Sequence, residues 1–197
     1  MAFAVVTILQ NKYEALPVYS GSLNSNKNEK APHFIQPFNL TNQDGKNFSD
    51  VFLNNKIYVA DFFFTSCTSA CPKMTNNLKL VQNAFKNDTA IAIISFTVDP
   101  ETDSAERLKW YANVLKINTN NWNFLTGSKT GIYKLARESF YVSAGDGDGG
   151  PDDFIHSDKL VLVDNQKRIR GYYTGTEKDD VERLIHDIKK LENENEN

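Results

Sequence analysis

IYVADFFFTSCTSACPKM, residues 57–74, carries both cysteines of the 197-residue chain. Ile57–Phe64 is rich in β-branched and aromatic residues and too short for a helix, so it predicts a strand covered on both faces. Cys67 and Cys71 follow where that strand ends. Pro72 suits the first position of a helix, and Met74, Leu78, Val81 and Phe85 then repeat at helical spacing. A strand, a short loop with two thiols and a helix whose positive end faces the loop together favour thiolate over thiol.

The bulk properties set bounds on partners. An apolar content of 40 % with 12 % aromatic residues supplies a core for one domain with tails. The 22 basic and 25 acidic residues, with no basic block, argue against nucleic acid as a partner. Two cysteines four positions apart mark a site, because a structural disulfide normally closes a longer loop; the bland alternative is two unrelated buried thiols. Residues 1–32 read as an N-terminal tail and linker. Ala2–Leu9 is apolar and uncharged but falls short of the roughly 20 residues of a spanning helix. Two readings stay open for it: the outer end of a membrane anchor, followed by the linker Gly21–Lys30, or an ordinary tail. Residues 33–191 form the domain and 192–197 a short disordered tail.

Taken in order, Phe34, Phe38 and Leu40 lead to the turn signal Asp44-Gly45 with Phe48 beyond it, a β-hairpin. Ala90–Thr97 is a second buried strand, which makes a β-α-β unit with the first. Asp103 stands three residues before Glu106 like a capping box, opening a helix with Leu108, Tyr111, Ala112 and Leu115 on one face. Trp122–Leu125 is a short strand, and a small helix begins near Ser128 with Ile132, Leu135 and Ala136. Ser143–Phe154 is a polar loop of glycines and aspartates. Lys159–Asp164 and Ile169–Tyr173 form a hairpin, and a last helix begins near Thr176 with Asp179 as its cap. Parallel strands first and an antiparallel pair last predict an α/β class, a thioredoxin-like sandwich with an N-terminal β-hairpin extension.

In such a sheet the loop before Lys159 lies close to the first strand-to-helix turn, so His156 would face Cys67 and Cys71. Two thiolates and an imidazole suit copper, Cu(I) favouring sulfur and Cu(II) nitrogen. Zinc asks for a fourth ligand, and His33 and His186 lie elsewhere in the chain. Without the cysteines, His156 alone would read as a structural or exposed histidine. Asp61 sits six residues before Cys67 inside an apolar run, where an ionised carboxylate is costly without a partner; it is either a proton-transfer group or an inert strand-end residue. Asp146, Asp148 and Asp152 are oxygen ligands of the kind calcium uses, but they match only part of an EF-hand loop and lack its closing Glu, which favours a solvated loop. Asp99 and Asp103 read as a strand-end turn and a helix cap.

Thr65-Ser66-Cys67-Thr68-Ser69-Ala70-Cys71-Pro72, then Val98-Asp99-Pro100, Phe124-Leu125-Thr126-Gly127 and His156-Ser157 resemble the Sco/SenC family of copper-binding cytochrome c oxidase assembly proteins over about Phe34 to Leu191. The resemblance implies copper held at Cys67, Cys71 and His156, in a membrane-anchored domain outside the cytoplasm, facing the periplasm or an equivalent space. It implies help in metallating the oxidase's binuclear copper centre, hence three partners: the copper-bearing oxidase subunit, a copper donor protein and a thiol reductant. Thr68 departs from the family, which commonly has proline there. The rival reading is a thiol-disulfide oxidoreductase that reduces an acceptor's cysteines. Asp61 resembles the buried aspartate of thioredoxins and would shuttle protons to Cys71. Against it, three residues separate the thiols where thioredoxins have two, and no proline precedes the Lys159 strand. Peroxiredoxins place threonine three residues before their reactive cysteine, and here that residue is Phe64.

Overall fold

Ile57–Phe63 and Ile91–Thr97 are buried at every position, which only strands covered on both faces can be. In the computed structural model, which describes residues 15–20, 33–142 and 157–195, these two segments (β3 and β4) pair in parallel at the centre of a seven-stranded sheet. β1 (Asn39–Asn42) and β2 (Asn47–Ser49) form the expected hairpin. β5 is Trp122–Thr126, and β6 (Lys159–Val163) and β7 (Ile169–Thr174) form the second hairpin. The order is β2-β1-β5-β4-β3-β6-β7. β1 pairs antiparallel with β5, so the first hairpin extends the sheet itself.

Helices α1 (Ala70–Ala84), α2 (Ala105–Val114) and α4 (Lys178–Asn195) cover one face, through Met74, Leu78, Val81, Leu108, Val181, Leu184 and Ile188. The other face is covered by α3 (Lys129–Lys134), which continues as a π turn over Leu135–Ser139, and by the lead-in around Ile35 and the 3-10 turn Asp50–Leu53. This two-sided covering is the thioredoxin-like α/β sandwich that the element order predicts. Among the described residues no helix is long and apolar enough to cross a membrane.

Three helix starts differ from the sequence expectation. α1 begins at Ala70, so Pro72 is its third residue; the first turn's N–H groups have no intrahelical acceptor, and a proline there removes nothing the helix uses. Ser104, not Asp103, caps α2, its side chain accepting from the Arg107 N–H. Asp103 is drawn fully into the interior instead. Asp179 falls inside the first turn of α4, where with Asp180 it complements the helix dipole. That helix runs on to Asn195, and Glu194 has a partner at the sheet edge.

That partner is Arg170 on β7, 4 % exposed. Its guanidinium donates to Asp164 at 3.0 Å, to Glu194 at 2.7 Å, and to the carbonyls of Leu16 (2.7 Å) and Pro17 (3.0 Å). Leu16 N–H returns a bond to Glu194, and Tyr19 N–H reaches the Ile169 carbonyl. The segment Ala15–Ser20 is thereby tied to the outer strand and the last helix at once. Replacing Arg170 with Ala leaves Asp164 to Arg168 alone and takes the guanidinium from Glu194 and from the Leu16 and Pro17 carbonyls; loss of a hydrogen-bonded charged group of this kind costs about 1.5–3 kcal/mol. Urea unfolding is expected to show a loss of that size, with earlier proteolysis around Leu16; an unchanged midpoint would show the cluster to be ornamental.

Candidate thiol and metal site

The chain leaves β3 at Phe63 and turns through Thr65-Ser66 before α1. The turn is fixed from below by Asp103. Its carboxylate accepts from Thr65 N–H (3.0 Å), Thr65 Oγ1 (2.5 Å) and Thr97 Oγ1 at the end of β4 (2.6 Å). Arg107 Nε donates to the same Thr65 hydroxyl at 3.0 Å. Three donors satisfy a carboxylate that no solvent reaches, and the loop start becomes a fixed point on the sheet.

From that point the two thiols separate in character. Both are free. Cys67 is partly exposed, and its Sγ accepts from Cys71 N–H at 3.4 Å and lies 3.7 Å from Ser69 Oγ. Burial pushes the Cys67 thiol up, but the Cys71 thiol, the N–H groups of Cys71 and Ser69 and the Ser69 hydroxyl outweigh it and hold it below the ordinary range. Cys71 is 7 % exposed and packs with Met74, Val59 and Phe63. Burial first, then its bond to Cys67, pushes it up to about 12. The loop thus makes Cys67 the more acidic thiol and Cys71 the less acidic one. The helix start explains it, because the Cys71 N–H in the first turn aims at the Cys67 sulfur and not at its own.

Asp61 lies inside the protein, 3 % exposed, on the strand face it shares with Val59 and Phe63. Ser95 Oγ donates to its Oδ1 at 2.5 Å, and Trp122 Nε1 donates to Ser95 Oγ at 2.8 Å. Burial raises its pKa to about 7 against the pull of Ser95. Its charge reaches the thiol region, raising Cys71 and the Tyr111 hydroxyl that pairs with Thr75 of α1.

His156 and the Asp146–Asp152 loop lie outside the described residues. The β3–β6 register, Tyr58 to Val163 and Ala60 to Val161, carried on by two residues sets Lys159 level with Phe62. The chain from Ser157 therefore enters the sheet at the thiol edge. His33 is committed to the Ser139 carbonyl (2.7 Å) and Tyr141 hydroxyl (2.8 Å), and His186 is exposed on α4. Among the described residues no further His, Cys, Asp or Glu joins the two sulfurs as a metal-binding group of three. The soft sulfur pair itself fits a monovalent copper ion.

The sequence alone assigns Thr65, Thr97, Ser95 and Trp122 no role in supporting the site, although for two of them a signal was there. Ser95 and Thr97 are the polar residues of an otherwise apolar β4 and fall at alternate positions, hence on one face.

The unlike surroundings of Cys67, Cys71 and Asp61 lead to two measurable outcomes. Iodoacetamide near neutral pH is expected to modify Cys67 well before Cys71, as read by peptide mass spectrometry; equal rates would remove the thiolate assignment. Asp61 has an ordinary value of 3.8 and about 7 in the fold, so the folded state binds more protons between those pH values and stability falls as pH rises through that window. Asp61→Asn is expected to flatten this slope, recovering on the order of 4 kcal/mol at most above pH 7.

The SCO1/SenC family model matches residues 26–193. A SCO1/SenC family lipoprotein from Bacillus anthracis has a structure similar to this chain, with a TM-score of 0.72 and 35 % identity over 81 % of this chain and 95 % of its own. The structure of BsSco, described as a cytochrome c oxidase assembly protein with a disulfide switch, gives 0.71 and 33 % over 90 % and 98 %. Bradyrhizobium japonicum ScoI with copper bound gives 0.64 and 25 % over 80 % and 99 %. With the fold, the paired thiols at the end of β3 and a family match across most of its length, this chain belongs to the SCO1/SenC family.

Proposed function

We propose that this protein is a copper metallochaperone for cytochrome c oxidase assembly, in which Cys67, Cys71 and His156 hold copper as cargo. The observation that carries the reading is the pair of free cysteines of unequal acidity on a pinned loop. The partly exposed Cys67 sulfur, the more acidic of the two, meets the incoming ion first. Cys71 then loses its proton as its sulfur joins, so capture releases protons and strengthens as pH rises. Hand-over proceeds by ligand exchange with thiolates of the oxidase's copper-bearing subunit, after loading by a copper donor protein. A thiol reductant keeps Cys67 and Cys71 competent, because an oxidised pair does not coordinate. Copper in the Bradyrhizobium structure and oxidase assembly in the BsSco description support this reading. The Bacillus anthracis lipoprotein supports a location outside the cytoplasm, with residues 33–191 as the working domain and 1–32 leading from an anchor.

A second reading is favoured by the same asymmetry and by the disulfide switch described for BsSco. The Cys67 thiolate attacks an acceptor disulfide, forming a mixed disulfide and releasing one acceptor thiolate. Cys71 gives its proton to Asp61 and displaces the second acceptor thiolate, so the acceptor is reduced to two thiols as Cys67–Cys71 is oxidised to a disulfide. A thiol reductant of the dithiol class restores the starting state.

Anaerobic titration of the reduced protein with Cu(I) against a competing chelator is expected to show one stoichiometric site. His156→Ala is expected to weaken it more than tenfold, about 1.4 kcal/mol or more, while sparing thiol-disulfide exchange. Absence of a stoichiometric site rejects the chaperone reading. For the exchange reading, Asp61→Asn is expected to slow the release of acceptor thiol with little effect on formation of the mixed disulfide, and unchanged rates would reject Asp61 as the proton acceptor.

A further inference from the structure

β3, β4 and β5 run parallel, and the thiol loop leaves the carboxyl end of β3. The opposite edge is made of the segments that enter these strands, namely the 3-10 turn Asp50–Leu53, residues 85–90 and residues 115–121, and of the turn between β6 and β7. Ala15–Ser20 docks there as well, since Tyr19 binds Ile169 at the start of β7. Lys167 in the β6–β7 turn forms an ion pair with Asp50, joining that turn to the 3-10 turn at 2.5 Å.

Among the described residues, this edge holds most of the exposed large apolar side chains. Val51 (62 %), Phe52 (58 %), Val114 (56 %), Phe34 (48 %) and Val18 (39 %) all belong to it, Phe34 by its bridge to Arg168; the remaining one among the described residues, Trp110, lies one helical turn above Val114. Lysines stand among them. Lys56 and Lys86 line a depression of about 500 Å³ together with Phe52 and Asp88, Lys56 Nζ donating to the Thr89 carbonyl on its rim, and the exposed Lys116 follows the end of α2. Among the described residues none of the three has a carboxylate partner.

We propose that this edge is a membrane-docking surface, which seats Phe52, Val51 and their apolar neighbours in the interface of an anionic bilayer with Lys56, Lys86 and Lys116 on lipid headgroups. The apolar side chains are spread over separate segments, with Val51 and Phe52 on the 3-10 turn, Val114 at the end of α2, and Val18 and Phe34 beside β7, which suits shallow insertion into lipid better than the contiguous, fully desolvated patch of a protein interface. The whole chain is acidic, at −3, so attraction to an anionic surface has to be local, and these lysines supply it within a Debye length. The chain also enters the fold at this edge, preceded in sequence by the uncharged apolar run Ala2–Leu9. Docking would turn the thiol loop away from the bilayer by at least the length of β3, roughly 20 Å for seven residues. The inference stands independently of copper chemistry.

Two single-site reporters in the full chain test it, each in a Trp110→Phe background in which fully buried Trp122 is shielded from lipid. Phe52→Trp places an indole on the proposed surface, and Glu101→Trp places one at the opposite, thiol-bearing edge, where Glu101 is exposed. With vesicles of phosphatidylglycerol and phosphatidylcholine carrying brominated acyl chains, the first indole is expected to be quenched and blue-shifted and the second to be unaffected. Replacing Lys56, Lys86 and Lys116 with Glu is expected to lower partitioning by about fivefold or more per residue, as is Phe52→Asp, whose folding is checked by its near-ultraviolet spectrum. Equal quenching of both indoles, no quenching of the first, or partitioning unchanged by charge reversal overturns the proposal. So does a lipid-free dimer that Phe52→Asp abolishes, which would make the edge an interface between copies.

Discussion

The carboxylate of Asp103 decides where the reactive loop can be. It is fully buried, so its oxygens are satisfied only by the donors that surround them, and three of these come from Thr65 and Thr97. Thr97 ends β4 and Thr65 begins the loop that follows β3. The same group therefore locks the two central strands together at one end and sets the direction in which Cys67 leaves them. Everything chemical about the two thiols depends on that exit, because α1 must start within a few residues for the Cys71 N–H to reach the Cys67 sulfur.

That geometry makes one dithiol into two different groups. Cys67 gathers hydrogen-bond donors at partial exposure, and Cys71 holds its place in the core by keeping its proton. A metal carrier and a reductase make the same first demand, an accessible thiolate backed by a protonated partner, so the pair alone suits both. Asp61 lies on the same face as the core around Cys71, held through Ser95 to Trp122, and is poised to titrate near neutral pH. A buried carboxylate of this kind costs stability whenever it ionises, and copper coordination by sulfur gives no physical reason to keep it. Proton transfer does.

Much of the fold was legible because β3 and β4 are apolar runs interrupted only by Asp61, Ser95 and Thr97, which leaves few alternatives to a covered parallel pair. The helices were legible by period, down to Met74, Leu78 and Val81 on one face of α1. Their starts were less so. Asp103 and Ser104 are neighbours and both belong to the capping class, and only tertiary contact decides which turns inward. The thiols could be located from sequence because two cysteines on one loop are rare enough to stand out. The supports beneath them could not, since Ser95 meets Asp61, and Trp122 meets Ser95, only through pairing across strands far apart in the chain.

The distribution of surface side chains adds a direction to this chemistry. Parallel strands give the sheet two unlike ends, one where the chain turns into helices and carries the thiols, the other where it returns. At the thiol end Asp103 and its donors turn polar side chains inward to fix the loop. The returning connections carry no such duty, and they are where Val51, Phe52 and Val114 stay exposed among lysines. An apolar side chain left in water lowers no energy in the isolated fold, and several gathered at one end call for a partner that covers them. Arg170 brings Ala15–Ser20 to the same end through a buried ion cluster, so the entering chain and the exposed apolar tips share a side of the molecule that the thiols do not. Docking at that end would leave the loop with Cys67 facing away from the surface that holds the domain.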